Sequence, residues 1–139
     1  MSLLIVTRGL PACGKTTKAQ SWVAVNPEQR CRVNRDDFRM MFHDKRWTGL
    51  QKCERAVTEA QYPAIRALLS AGFDVVSDDT WLDEQQFQQI KALAADVEAQ
   101  FLVWDMRDVP PCVCIQRDKD RGSLVGADVI AELHRRHIS

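Results

Sequence analysis

Gly9-Leu10-Pro11-Ala12-Cys13-Gly14-Lys15-Thr16 is the stretch on which the reading of this chain turns. Its spacing fits G-x-x-x-x-G-K-[ST], a loop whose backbone N–H groups close around phosphate. The glycines let the chain curl so that successive N–H groups point inward. A helix beginning near Gly14 adds the partial positive charge of its N-terminus. Lys15 has the reach to span the β- and γ-phosphates, and the Thr16 hydroxyl is a ligand type for Mg²⁺. Just upstream, Leu3-Leu4-Ile5-Val6-Thr7 is a short apolar run ending at a turn, as a buried parallel strand requires.

Outward from that loop, strand and helix patterns alternate. Lys15 to Val25 reads as a helix with Ala19, Trp22 and Val23 on one face, stopped at Asn26-Pro27. Cys31 to Asn34 reads as a second strand and Asp36 to Phe42 as a helical turn or short helix. Lys52 to Ala71 carries a helical stripe of Val57, Ala60, Ala64, Ile65 and Leu68, which Pro63 is expected to kink or restart. After Gly72, Phe73 to Ser77 forms a third strand. Asp83 suits the N-cap of the next helix, Phe101 to Trp104 is a fourth strand, and Asp108 is expected to cap a helix running to Asp120. A last helix spans Asp128 to His137. The pattern predicts an α/β fold of the P-loop NTPase type: a four-stranded parallel sheet, strand order 2-3-1-4, helices on both faces and an arginine-bearing lid. Ligands of such sheets sit beyond the carboxyl ends of the strands, so Asn34-Arg35-Asp36-Asp37 and Asp78-Asp79-Thr80 should face the same cleft as the phosphate loop.

The 139 residues suit one domain over 1–139, without repeats or linkers. Lys+Arg and Asp+Glu are equal at 19 each, which excludes a global field drawing in nucleic acid and makes any such contact local. No apolar run spans a bilayer and no signal peptide is evident. The five cysteines are odd in number and lack metal-binding spacing, so reduced thiols and a cytoplasmic location are expected (the host's cytoplasm, if a phage encodes the chain). Cys13 lies in the phosphate loop, where an alkylating reagent should block nucleotide entry. The three histidines make no ligand spacing with each other or with the cysteines.

A bound triphosphate does not by itself define a reaction. Phosphoryl transfer also needs a group that orients the nucleophile and cations that meet the charge on the transferring group. Asp36 or Asp37 suits the first role; both also read as helix-capping carboxylates. Arg117 and Arg121, four apart near a helix end, suit the second as a lid, or make a solvated basic turn. Asp78 and Asp79 end a strand where a carboxylate would orient a water on Mg²⁺ or bond Thr16, or serve only the turn. Between residues 30 and 55, Arg30, Arg32, Arg35, Arg39, Lys45, Arg46, Lys52 and Arg55 outnumber Asp36, Asp37, Asp44 and Glu54. Phe38, Phe42 and Trp47 lie among these charges, as core residues or as base-stacking surfaces.

Taken together these motifs resemble the kinase domain of the phage-type 5′-polynucleotide kinases. The likeness runs through the phosphate loop with Thr17, Val33-Asn34-Arg35-Asp36-Asp37-Phe38-Arg39, Ser77-Asp78-Asp79-Thr80, Arg117 and Arg121-Gly122. The segment His43 to Glu54 departs from the family pattern. The resemblance implies transfer of the γ-phosphoryl of ATP or another NTP to the 5′-hydroxyl end of DNA or RNA, with Mg²⁺. It implies that Gly9, Pro11, Ala12, Cys13, Gly14, Lys15, Thr16 and Thr17 bind nucleotide, with Thr16 on the metal. Asp36 is implied as the general base, Arg39 as the grip on the acceptor's 3′-phosphate, and Lys15 and Arg121 as the cations on the transferring phosphate. Arg117 is implied near the nucleotide and Asp79 with Thr80 near the acceptor. Two other functions fit the phosphate loop: a small-molecule kinase acting on a nucleoside, sugar or antibiotic hydroxyl, and a non-catalytic nucleotide-binding switch. Neither DNA against RNA preference nor oligomeric state is encoded in these motifs.

Overall fold

A computed structural model of the chain describes residues 1–138. Strand β1 (Leu3–Arg8) leads into helix α1 (Lys15–Val25), then β2 (Arg30–Val33), α2 (Arg35–His43) and α3 (Gln51–Ser70). β3 (Asp74–Ser77), α4 (Glu84–Asp96), β4 (Gln100–Asp105), α5 (Pro111–Asp120) and α6 (Ala127–His137) follow. The strands make one parallel sheet in the order β2-β3-β1-β4, as the alternating pattern predicts.

β1 explains why the sheet is covered on both faces. Leu4 and Val6 enter a core with Val75 of β3, Ile65 and Leu69 of α3, and Ile90 and Leu93 of α4. Ile5 points the other way and packs with Val76, Ala19, Trp22, Val23 and Trp104. The period of two along the strand therefore places α3 and α4 on one face and α1 on the other. A third cluster of Leu10, Cys13, Leu82, Cys114 and Ile130 ties the phosphate loop to α5 and α6. Each fully buried branched side chain contributes roughly 1.5–3 kcal/mol, so the loops at the carboxyl edge hang from a firmly packed sheet.

Two elements differ from expectation. α3 runs through Pro63 without interruption. The proline removes one backbone hydrogen bond, but Val57, Gln61, Ile65 and Leu69, spaced four apart and all buried, hold the helix to its neighbours on both sides of it. Asp108 does not cap α5; Pro110 occupies the cap position with extended backbone (φ −62°, ψ 145°). A residue before proline is disfavoured from helical geometry, so Pro111 fixes where α5 can start. Asp83 does cap α4, accepting from the Gln86 N–H at 3.0 Å. The Asn34 side chain caps α2, accepting from the Asp37 N–H at 3.2 Å.

Candidate active site

The phosphate loop is shaped by close contacts and left-handed backbone. A Cβ on Gly9 would stand 2.7 Å from the Cys13 sulfur and 3.1 Å from the Met106 carbonyl oxygen, so no larger residue fits there. Ala12 (φ 63°) and Gly14 (φ 105°) take left-handed conformations that turn the chain into α1. The Gly9 N–H donates to the Thr80 carbonyl at 3.1 Å, and the Cys13 N–H to the Leu10 carbonyl at 3.2 Å. The N–H groups of Ala12, Gly14, Lys15, Thr16 and Thr17 donate to no acceptor among the described residues. They leave a set of donors at a helix N-terminus, the arrangement that receives an anion.

Lys15 is buried, with Nζ donating to the Leu10 carbonyl at 2.5 Å and lying 3.7 Å from the Cys13 sulfur. Burial pushes its pKa below the ordinary lysine value, against the opposing pull of Cys13 and Asp79. A buried ammonium without a contacting carboxylate gains from an incoming phosphate. Thr16 and Thr17 are exposed, and their hydroxyls have no partner among the described residues. No group of three or more His, Cys, Asp or Glu side chains is disposed to hold a metal among those residues. Mg²⁺ fits this donor set as it fits phosphate sites generally, with a hydroxyl such as Thr16, phosphate oxygens and water. Cys13 is only 2% exposed and closed in against Gly9.

The two arginines expected to form a lid do different things. The Arg117 guanidinium donates from Nη1 to the Cys13 carbonyl at 3.1 Å and so touches the phosphate loop. Arg121 lies just past the end of α5 and donates from Nε to Asp118 at 2.9 Å. Asp118 is buried and also accepts from the N–H groups of Val125 and Gly126. Burial opposes its charge, but the Gly126 N–H, Arg121 and the Val125 N–H outweigh that and hold it below the usual carboxylate range. Asp118 thus fixes the turn carrying Arg121. The sequence signal for it is the three-residue spacing to Arg121.

On the far side of the cleft, Asp36 and Arg39 meet. Arg39 Nη1 donates to Asp36 Oδ1 at 2.7 Å, while Arg46 Nη2 donates to Asp36 Oδ2 at 3.1 Å. The rest of the Arg39 fork is held by Glu54, from Nε at 2.8 Å and Nη2 at 2.6 Å. Glu54 also accepts from Arg35 at 3.3 Å. The bond from Arg39 is the main reason the Glu54 carboxyl sits below its ordinary pKa. Sequence reasoning passes over Glu54, because an acid in the first turn of a long helix reads as a partner of the helix dipole.

Asp78 and Asp79 do not reach Thr16. Asp78 is buried and accepts from Arg32 Nε at 2.8 Å and Asn34 Nδ2 at 3.1 Å. Asp79 accepts from the Arg35 N–H at 2.9 Å, Gln61 Nε2 at 2.5 Å and Ser77 Oγ at 3.1 Å. Burial, with Asp78 adding to it, pushes the Asp79 carboxyl up to about 6 against the Arg35 N–H and Gln61 bonds. Its charge also pulls the Lys15 pKa upward, a smaller effect than that of burial and of Cys13. With Arg35, Thr58, Tyr62, Thr80 and Trp81, Asp79 lines a small cavity at the sheet edge. Arg8 is a further position the sequence hides. It is buried at the end of β1 and donates to the Trp81 carbonyl at 2.9 Å, tying the loop after β3 to the phosphate-loop strand.

This fold and loop define a P-loop NTPase-like fold. The chain belongs to the AAA domain family (AAA_33), whose model matches residues 4–137. A chain in the Pnkp1/Rnl/Hen1 RNA repair complex superposes with a TM-score of 0.84 at 24% identity, over 97% of this chain and 43% of that one. A second structure of the Pnkp1/Rnl/Hen1 complex gives 0.74 at 26% identity, over 84% of this chain and 38% of that one. This chain therefore spans less than half the length of those relatives. The Mycobacterium tuberculosis APS kinase CysC, in complex with AMPPNP and APS, gives 0.70 at 16% identity, over 84% of this chain and 68% of that one. Chaetomium thermophilum Kti12, in complex with ADP-AlF3, gives 0.72 at 18% identity, over 98% and 80%. No helix among the described residues is long and apolar enough to cross a membrane.

Proposed function

We propose that this chain is a 5′-hydroxyl polynucleotide kinase, transferring the γ-phosphoryl group of ATP or another NTP to the 5′-hydroxyl of a DNA or RNA end. The observation that carries the reading is the Asp36–Arg39 pair, 2.7 Å apart, beyond the carboxyl end of β2 on the sheet edge that also bears the phosphate loop. A carboxylate to orient a hydroxyl stands there beside a guanidinium suited to an acceptor's own phosphate. The similarity to chains of an RNA repair complex supports the same acceptor class.

In this reading the backbone from Gly9 through Thr17, including Pro11, Ala12 and Cys13, cradles the triphosphate, and Lys15 bridges its β- and γ-phosphates. Mg²⁺, held by Thr16, would offset charge on the same phosphates when bound. Asp36 keeps unused lone pairs on both oxygens, so it can accept the 5′-hydroxyl without leaving Arg39 or Arg46. The 5′-oxygen bonds to the γ-phosphorus as the bond to the β–γ bridging oxygen breaks. The hydroxyl proton passes to Asp36 and the nucleoside diphosphate leaves. Arg121 and Arg117 meet the charge on the transferring group and the nucleotide, while Asp79 and Thr80 bound the acceptor side.

The test is transfer of labelled γ-phosphate to a 5′-hydroxyl oligonucleotide, a 3′-phosphorylated nucleoside and a free nucleoside in parallel. The reading predicts label on the first two. One observation favours a second reading, a small-molecule hydroxyl acceptor: Glu54 already takes two of the donors of Arg39. Label on the free nucleoside alone selects that reading.

A further inference from the structure

We propose that Trp47 is a stacking platform for a base of a single-stranded acceptor, next to the terminus that is phosphorylated; the inference rests on the polynucleotide-kinase reading. The four tryptophans have different surroundings. Trp81 is buried, its indole N–H donating to Ser77 at 3.1 Å. Trp22 and Trp104 pack edge to face, 6.1 Å apart, with Arg30 and Lys18 over their rings. Trp47 is 63% exposed, and its indole N–H donates to no partner among the described residues.

The position of this ring ties it to the acceptor carboxylate. The Arg39 guanidinium lies 5.5 Å from the Trp47 ring centroid while bonding Asp36. The neighbouring Arg46 also bonds Asp36, which anchors the loop bearing Trp47 beside it. Phe38 and Phe42, the other two aromatic residues among these charges, are less available. Phe38 packs on the main core, and Phe42, 42% exposed against 63% for Trp47, packs at a tilt on Phe38 with ring centroids 5.7 Å apart.

The charges nearby say what covers the ring. Arg32, Arg35, Arg39 and Arg46 are all held by carboxylates. Lys45, Lys52 and Arg55 are exposed and form no ion pair among the described residues. An open indole with Arg39 at its ring, in a segment flanked in sequence by the unpaired Lys45, Lys52 and Arg55, suits a strand that offers a π-face and a phosphate backbone. A protein partner fits less well, since lysine is depleted in the centre of protein interfaces.

The experiment combines fluorescence with kinetics, using a short single-stranded 5′-hydroxyl oligonucleotide as the probe. Its binding should quench the tryptophan emission of the parent and leave W47F unquenched. W47A should raise the oligonucleotide KM roughly 5- to 100-fold, with the KM values for ATP and a 3′-phosphorylated nucleoside within twofold. W47F should recover part of the loss. Quenching that persists in W47F, or an unchanged oligonucleotide KM in W47A, overturns the proposal. So does a dimer that W47A disperses without changing that KM, which would make the patch a self-contact. Trp47-dependent quenching in a chain that transfers no phosphoryl group keeps the platform and removes the kinase reading.

Discussion

The two sides of this cleft are built differently. The side proposed to hold the phosphoryl donor is one continuous segment, Gly9 to Thr17, and most of its hydrogen-bond donors are backbone N–H groups with no acceptor among the described residues. The side proposed to take the acceptor is a web of hydrogen-bonded side chains from α2, the loop after it, α3 and the end of β3. Backbone donors are set by local conformation, so a change in one loop side chain need not disturb the others. The web is shared among Asp36, Arg39, Arg46, Glu54 and Arg35, so a change in one member reaches several. In such networks the cost of removing a group is not a sum of pair energies.

That contrast sets the expected effects. Asp36→Ala gives the largest: turnover drops about 10³-fold, within the range for a lost general base, while ATP affinity measured by titration stays within twofold. A matched fall in ATP affinity would mean that the two sides are not separable. Arg39→Ala raises the acceptor KM about 10- to 100-fold, the loss of a charge-assisted fork, and leaves the ATP KM in place. Equal shifts in both constants would move Arg39 to the donor side.

Asp79 gives a pH-dependent effect. Its carboxyl, pushed up to about 6, holds a proton more tightly folded than unfolded. Its contribution therefore favours the folded state fully below the ordinary carboxylate range and is lost as pH rises through 6. Asp79→Asn should gain stability relative to the parent between pH 4 and 7, by up to about 3 kcal/mol, on top of a constant offset. Parallel melting curves across that range would show that Asp79 is not so shifted. Glu54→Gln gives the smallest effect, about 1–2 kcal/mol of stability from weakened charge-assisted bonds, with a rise in acceptor KM and none in ATP KM. A change confined to stability would leave Glu54 as a purely structural partner.

The same contrast explains what was legible. The phosphate loop, the sheet order and five of the six helix bodies follow from local patterns, since Gly14, Asp83 and the alternation around Ile5 act over a few residues. Pro63 reads locally as a kink or restart, and α3 continues through it without restarting, with Gln61 and Ile65 buried on either side. Glu54, Asp118 and Arg8 are hidden because their partners are set by the fold or read locally as surface charges. Asp79 reads as a turn carboxylate until Gln61, eighteen positions earlier, is seen to donate to it.

In the proposed function, the pairing of Asp36 with Lys15 in one reaction carries the most weight. Its most direct test is an experimental structure of the complex with a non-hydrolysable ATP analogue and a 3′-phosphorylated nucleoside bearing a free 5′-hydroxyl. That hydroxyl should lie within about 2.6–3.2 Å of an Asp36 oxygen, in line with the γ-phosphate that Lys15 holds. A 5′-hydroxyl bound at Asp79 instead, with Asp36 still facing only Arg39 and Arg46, would contradict it.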